Sequence, residues 1–256
     1  MREQISSRKN PLIGLVRSLQ GSAKARREAG CFLLDGPTLL AEALAFGGQV
    51  EIVLVIPNTE LPELPATVRV VEVPEDVMAS IAPTSTPQGV LAVCHLPELA
   101  LPECLEGRRY LILDSVQDPG NVGAILRSCA AFSTDGVILS GNCADPFGPK
   151  AVRASMGALF RCPIYSGDEV EIRRALGETL VYRADLGTGA VDIRKVDFHS
   201  AAFVIGSEGQ GVSEAWRNST DAIMIPMAGN SESLNAAVAA SIVLWEMARE
   251  DANGSE

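Results

Sequence analysis

Gly206-Ser-Glu208-Gly209-Gln-Gly211 and, further on, Ile225-Pro-Met227-Ala-Gly-Asn-Ser-Glu-Ser233-Leu-Asn235 decide the fold. Each block follows a short apolar run, residues 201–205 in one case and 221–225 in the other, and each opens into a helical pattern. Strand-to-loop-to-helix junctions carrying glycine and small polar residues are what a parallel sheet offers a small ligand. Upstream, Arg109-Tyr-Leu-Ile-Leu-Asp114 is an apolar run closed by a polar residue, and Asp118-Pro119 after it reads as a helix start with an acceptor cap and proline at the first helical position. Val122, Ile125, Leu126 and Cys129 then fall on one helical face. Strands over 136–140, 163–165, 179–183, 201–205 and 222–225 alternate with helices over 149–160, 169–177 and 234–249. That alternation predicts an α/β fold, a parallel sheet covered on both faces.

Residues 31–96 alternate strands and helices on a smaller scale and read as a small α/β domain. Residues 97–108, with Pro97, Pro102 and Glu98, Glu103 and Glu106 and no clear period, read as a linker, and 109–256 as the main domain. The 256 residues suffice for this division. The polar, basic N-terminus does not look like an export signal and no apolar run approaches membrane-spanning length, so a cytoplasmic protein is expected, with reduced thiols at Cys31, Cys94, Cys104, Cys129, Cys143 and Cys162. With His95 and His199 as the only histidines, a His-rich metal site is not available. His95, in an apolar strand-like run, reads as structural, and no metal is expected.

The net charge of −11 argues against indiscriminate nucleic-acid binding. Its distribution is uneven. Residues 1–30 hold Arg2, Arg8, Lys9, Arg17, Lys24, Arg26 and Arg27 against Glu3 and Glu28, a balance of +5, while the remainder nets −16. This reads either as a basic helical arm that guides a polyanion or as a solvated helical N-terminus.

Three clusters carry chemistry. In Asp118-Pro-Gly-Asn121-Val-Gly123-Ala-Ile-Leu-Arg127, Asn121 and Gly123 sit in the first helical turn, where free N–H groups and the helix dipole favour an oxygen-rich ligand. Arg127 interrupts an otherwise apolar helix and must reach solvent, a carboxylate or substrate. In the second cluster the glycines permit close backbone approach, and Glu208 among them has little packing role; loop capping or ion pairing is its alternative. In the third, Ser231, Ser233 and Asn235 are all cap-type residues, and capping needs only one of them.

Together the clusters resemble the SpoU (TrmH) family of RNA 2′-O-methyltransferases in the SPOUT superfamily: the first its Asn/Arg motif, the second its glutamate motif, the third its Ser-Leu-Asn motif. Arg153-Ala-Ser155-Met-Gly157-Ala-Leu-Phe160 is similar to a stretch the family carries between them. Phe32-Leu-Leu-Asp-Gly36 and Thr86-Pro-Gln-Gly89-Val resemble the ribosomal-protein-like substrate-binding domain of rRNA-modifying members. Ser133, where many members have glycine, and Trp245, where tyrosine is frequent, depart from the pattern.

The resemblance implies a SPOUT domain with a C-terminal trefoil knot, an exception to the rule that chains do not knot. It also implies bound S-adenosylmethionine, an RNA partner and a homodimer. Gly206, Gly209, Ile225, Met227 and Leu234 would hold the cofactor, while Asn121, Arg127, Glu208, Ser233 and Asn235 match catalytic positions. The family proposal makes Arg127 the base. A guanidinium protonated to pH above about 12 fits a phosphate clamp at least as well. The front domain, and a chain that stops soon after the last helix, favour rRNA over the alternative of tRNA. A nucleotide-dependent oxidoreductase would need GxGxxG with an acidic residue about 20 positions on, which the chain lacks. Against a catalytically silent RNA-binding adaptor on the same fold stands the intact polar set.

Overall fold

In the computed structural model, residues 3–185, 187, 189–196, 198, 200–229 and 233–253 are described. They form two compact units, Met1–Pro97 with Asp145–Arg161, and Glu98–Ala144 with Cys162–Glu256.

The first unit is built on a five-stranded mixed sheet. The chain begins with β1 (Glu3–Gln4), α1 (Pro11–Gly21) and α2 (Ala23–Ala29), followed by β2 (Cys31–Asp35), α3 (Pro37–Ala45), β3 (Val50–Val55), β4 (Arg69–Glu72), α4 (Glu75–Ala79) and β5 (Val90–His95). The strand order is β1-β4-β3-β5-β2, parallel except where β5 runs against β3 and β2. Residues 3–30, read from their charge either as a basic helical arm or as a solvated helical N-terminus, belong to this unit. The reason is the apolar stripe of α1: Leu12, Ile13, Val16 and Leu19 recur at helical spacing, and all four are buried, three of them fully. The side chain of Asn10 caps this helix through Leu12 N–H at 2.9 Å, with Pro11 at the first helical position.

Burial also changes the arm's electrostatics. Arg26 is enclosed, its guanidinium donating to Asp145 Oδ2 at 2.6 Å and to the Leu19 carbonyl at 2.6 Å. Arg8 pairs with Asp76 at 2.7 Å and Lys24 with Glu28 at 3.7 Å. The cationic surface that remains is Lys9, Arg17 and Arg27, all exposed and with no side-chain partner among the described residues.

The second unit is a seven-stranded sheet in which every pair is parallel. From β6 (Arg109–Asp114) the chain runs through α5 (Pro119–Ala131) to β7 (Gly136–Ser140). It then leaves this unit: α6 (Pro149–Ser155) and the 3-10 turn Ala158–Phe160, expected within the main domain, group with the first unit. There Phe147 and Phe160 lie 5.1 and 6.2 Å from the Phe32 ring. On return it forms β8 (Ile164–Ser166), α7 (Glu169–Leu176), β9 (Leu180–Ala184), β10 (Val191–Asp192), β11 (Ala201–Gly206), α8 (Glu214–Arg217), β12 (Asp221–Met224) and α9 (Ala236–Asn253). The order is β10-β12-β9-β11-β6-β7-β8. Strands β6 and β7 are buried at every position and β11 at all but its last, as expected of a sheet covered on both faces.

The sheet grows outward in both directions from β6, with β7 on one side and β11 on the other, so a crevice opens at their C-terminal ends. Helix α9 closes over α5. Its alanines Ala236, Ala237 and Ala240 are buried, and Ser128 and Ser241 meet across the helices at 2.8 Å. Ser133, just past α5, has φ +53, a left-handed position where glycine is at ease. No helix among the described residues is long and apolar enough to cross a membrane.

Candidate active site

The crevice is walled by a tight turn that follows β11. Ser207 N–H donates to the Gly211 carbonyl at 3.1 Å and Gly211 N–H returns to the Ser207 carbonyl at 2.9 Å. This tight return, with Gly211 at φ +67, projects Glu208 outward. It presses Gly206 against Gly211: a Cβ on Gly206 would lie 2.1 Å from the Gly211 carbonyl carbon and 2.3 Å from Val212 N. Nothing lies within 4 Å of a Cβ built on Gly209.

Asp114, register partner of Gly206, holds the loop from below. Its buried carboxylate accepts from Ser213 N–H at 2.6 Å. Arg217 braces the same loop through the carbonyls of Val212 at 2.8 Å and Gln210 at 3.4 Å. Neither Asp114 nor Arg217 was among the expected site residues. Asp114 carried a usable signal, a carboxylate closing the apolar run 110–113, which on burial must find donors.

Three distant stretches converge above this loop. Asp118 Oδ1 caps α5 by accepting from Gly120 and Asn121 N–H at 2.6 and 3.0 Å. Asn235 caps α9, its Oδ1 accepting from Ala237 N–H at 2.9 Å and Val238 N–H at 3.3 Å. That leaves Asn235 Nδ2 to donate to Asn121 Oδ1 at 3.1 Å, and Asn121 Nδ2 to donate to Glu208 Oε1. The direction of the relay follows from its ends, since a helix cap must accept and a carboxylate must accept. Arg127, farther along α5, stands outside the relay. It is exposed and makes no hydrogen bond or ion pair among the described residues.

Beside the relay lies a cavity of about 320 Å³. Ile205, Ile223, Ile225, Met227 and Leu234 give it an apolar wall, and Ser207, Glu208, Gln210, Ser233 and Asp185 a polar side. Of the residues singled out in the sequence, Gly206, Glu208, Ile225, Met227, Ser233 and Leu234 line it; Asn121, Arg127, Gly209 and Asn235 are not in its lining. Asn230 and Ser231 lie outside the described residues. Burial pushes the Asp185 carboxyl up, but the Gly187 N–H at 3.0 Å and the Arg183 guanidinium at 3.2 Å outweigh it, so the group sits below its ordinary value and is ionised at neutral pH. The cavity thus joins apolar walls to the carboxylates of Asp185 and Glu208, the guanidinium of Arg217 and several hydroxyl, amide and backbone partners, within the size range of small-molecule sites, about 300–1,000 Å³.

A parallel sheet with its crevice at the C-terminal ends of β11 and β12, and a polar relay along one side, is a domain of the SPOUT methyltransferase class. More narrowly, the chain belongs to the SpoU rRNA Methylase family, whose sequence profile matches residues 108–245. A second profile, that of the MRM3-like substrate binding domain, matches residues 10–92.

The chain is 35% identical to the 23S rRNA (guanosine(2553)-2′-O)-methyltransferase RlmP of Bacillus subtilis (strain 168), over 96% of this chain and 99% of that one. It is 34% identical to the 23S rRNA (uridine(2479)-2′-O)-methyltransferase of Streptomyces viridochromogenes, over 93% and 89%. Among solved structures it superposes on the AdoMet-bound rRNA methyltransferase of Sinorhizobium meliloti with a TM-score of 0.87 at 30% identity, covering 97% and 98%.

Proposed function

We propose that this protein transfers a methyl group from S-adenosylmethionine to a ribose 2′-hydroxyl of ribosomal RNA. The observation that carries the reading is the relay from Asn235 through Asn121 to Glu208, standing beside a cavity of cofactor size. The cavity suits such a cofactor: apolar faces for a base and a methylene chain, and the ionised Asp185 for hydroxyls or a cationic group. Gly206, Ile225, Met227 and Leu234 would hold it, with Gly209 offering unobstructed backbone approach.

When bound, the cofactor supplies an activated methyl group, so the protein's task is alignment of the attacking oxygen. Asn121, Ser233 and Asn235 orient the ribose, and Glu208 fixes the relay. Arg127, exposed and without an internal partner, clamps the neighbouring phosphate and stabilises negative charge on the attacking oxygen. Transfer of radiolabelled methyl to rRNA, followed by mapping of ribose methylation in cells with and without the gene, tests the reading. Absence of a labelled ribose would leave a silent RNA-binding adaptor.

The relay makes its own prediction. Asn121→Asp replaces a donor with a carboxylate facing Glu208, and two carboxylates in one site raise the pKa of one of them. Turnover at neutral pH falls roughly 10–100-fold, the worth of one charge-assisted hydrogen bond of about 1.5–3 kcal/mol. The deficit relative to wild type narrows as pH falls, because a shared proton restores the bond. A ratio of variant to wild-type kcat that is flat with pH would contradict the relay.

RNA recognition falls to the first unit, supported by its profile match and the exposed Lys9, Arg17 and Arg27. Changing those three to glutamine should flatten the dependence of log affinity on log salt by about 0.7 for each phosphate no longer neutralised. An unchanged slope would remove this face from the RNA-binding surface. The active form is a homodimer in the cytoplasm. In its favour, α9 presents Val238 and Trp245, 48% and 56% exposed, on its outer surface. The family match over residues 108–245 supports a C-terminal trefoil knot.

A further inference from the structure

We propose that Cys31, Glu51 and His95, in the first unit and unconnected with methyl transfer, form a binding site for one divalent cation of the zinc class. The three donors come from three neighbouring strands at one end of the sheet. Cys31 on β2 is the direct register partner of His95 on β5. On the other side of β5, the register with β3 slips between Val50 and Ile52, which leaves Glu51 as the extra residue of a β-bulge. Bulges re-aim a side chain, and here the Glu51 carboxylate is delivered to the Cys31–His95 pair.

Taking one nitrogen of His95, the three ligand atoms all lie within 4.8 Å of one another. Cys31 Sγ lies 3.6 Å from His95 Nδ1 and 3.9 Å from Glu51 Oε2, while the other ring nitrogen, Nε2, lies 3.5 Å from that same oxygen. In a tetrahedral zinc site with bonds of about 2.0–2.3 Å, ligand atoms stand roughly 3.3–3.8 Å apart. Closing the site needs the exposed His95 ring to turn so that one nitrogen faces both partners, with the exposed Glu51 carboxylate following. Thiolate, imidazole and carboxylate are also the three ligand types zinc takes, and a three-ligand set leaves a fourth position for water. The floor of the site is the buried Cys31, while the His95 and Glu51 side chains, 45% and 49% exposed, leave an entry path.

Two other readings fit less well. As a nucleophile with its base, Cys31 would need a thiol that ionises readily, whereas burial and then the Glu51 charge push it up. A second thiol ligand is not available from Cys94, which alternation places on the opposite face of β5 and whose thiol burial pushes up to about 12. The ligands lie 20 and 64 residues from Cys31 in sequence, so no short motif marks them.

Full-length protein loaded with Co(II) should bind one equivalent and show a thiolate-to-metal charge-transfer band, and Zn(II) should displace it. His95→Gln and Glu51→Gln alter exposed side chains and leave the fold intact, yet each should weaken Zn(II) affinity more than about 100-fold in competition with a chromogenic chelator, beyond the 10–100-fold typical of outer-shell partners. Cys31→Ser should abolish the band. Absence of a thiolate band in the wild-type protein, or a Zn(II) affinity unchanged in His95→Gln, would overturn the site.

Discussion

Replacing Arg127 with alanine removes methyl transfer and leaves cofactor binding near normal. The side chain is exposed, has no hydrogen bond or ion pair among the described residues, and is not in the lining of the cavity. Its loss therefore costs the fold little, within about 0.5 kcal/mol for a surface position of this kind. If its partner is RNA and the charge developing on the attacking oxygen, turnover should fall by at least 10²–10³-fold, roughly the cost of deleting one preorganised donor at a developing oxyanion. Arg127→Lys separates the two chemical roles. A phosphate clamp keeps part of its effect with a lysine point charge but loses the planar fork, so KM for RNA rises and kcat falls partially. Action as a base predicts instead a new pH dependence in the lysine variant, whose side chain titrates within reach of the assay. Calorimetry with S-adenosylmethionine and single-turnover methylation read both quantities. Near-normal turnover in Arg127→Ala would remove this residue from the chemistry.

The sheet was readable in the sequence because parallel strands buried on both faces leave continuous apolar runs, as in Arg109-Tyr-Leu-Ile-Leu-Asp114. The helix starts announce themselves through Asp118-Pro119 and Asn235. What the chain does with its charges was less readable. Seven basic residues near the N-terminus look like an arm until Leu12, Ile13, Val16 and Leu19 are seen to share a face, and burial then turns Arg26 from a phosphate ligand into the partner of Asp145. The excursion of residues 145–161 into the first unit has no local signal either, because a helix reads the same whichever sheet it packs against. At the site, residue types marked stretches that the fold brings together, but not which residues would touch. Only the fold reveals that Asn235 spends its oxygen on the helix cap and its nitrogen on Asn121. The Glu51 bulge is likewise a register event that no residue type marks.

Gly206 and Gly209 look alike in the sequence, and the structure separates them into an expected result. Gly206→Ala drives a methyl group to 2.1 Å from a carbonyl carbon and 2.3 Å from a backbone nitrogen, well inside contact distance. Both atoms belong to the return at Gly211, which its paired hydrogen bonds with Ser207 hold in place, so neither can move aside as a flexible side chain would. The cost should reach or exceed the upper end of overpacking, about 3 kcal/mol, seen as a lower urea midpoint for the full-length protein. Cofactor affinity falls with it, since the displaced return carries Glu208 and Gln210 into the cavity wall. Gly209→Ala meets no atom within 4 Å and leaves stability within about 0.5 kcal/mol. Any loss of S-adenosylmethionine affinity in that variant therefore reports a ligand approaching the backbone at Gly209, not a disturbed fold. Wild-type stability in Gly206→Ala would mean that the return at Gly211 relaxes, and its rigid hold on this side of the cavity would go with it.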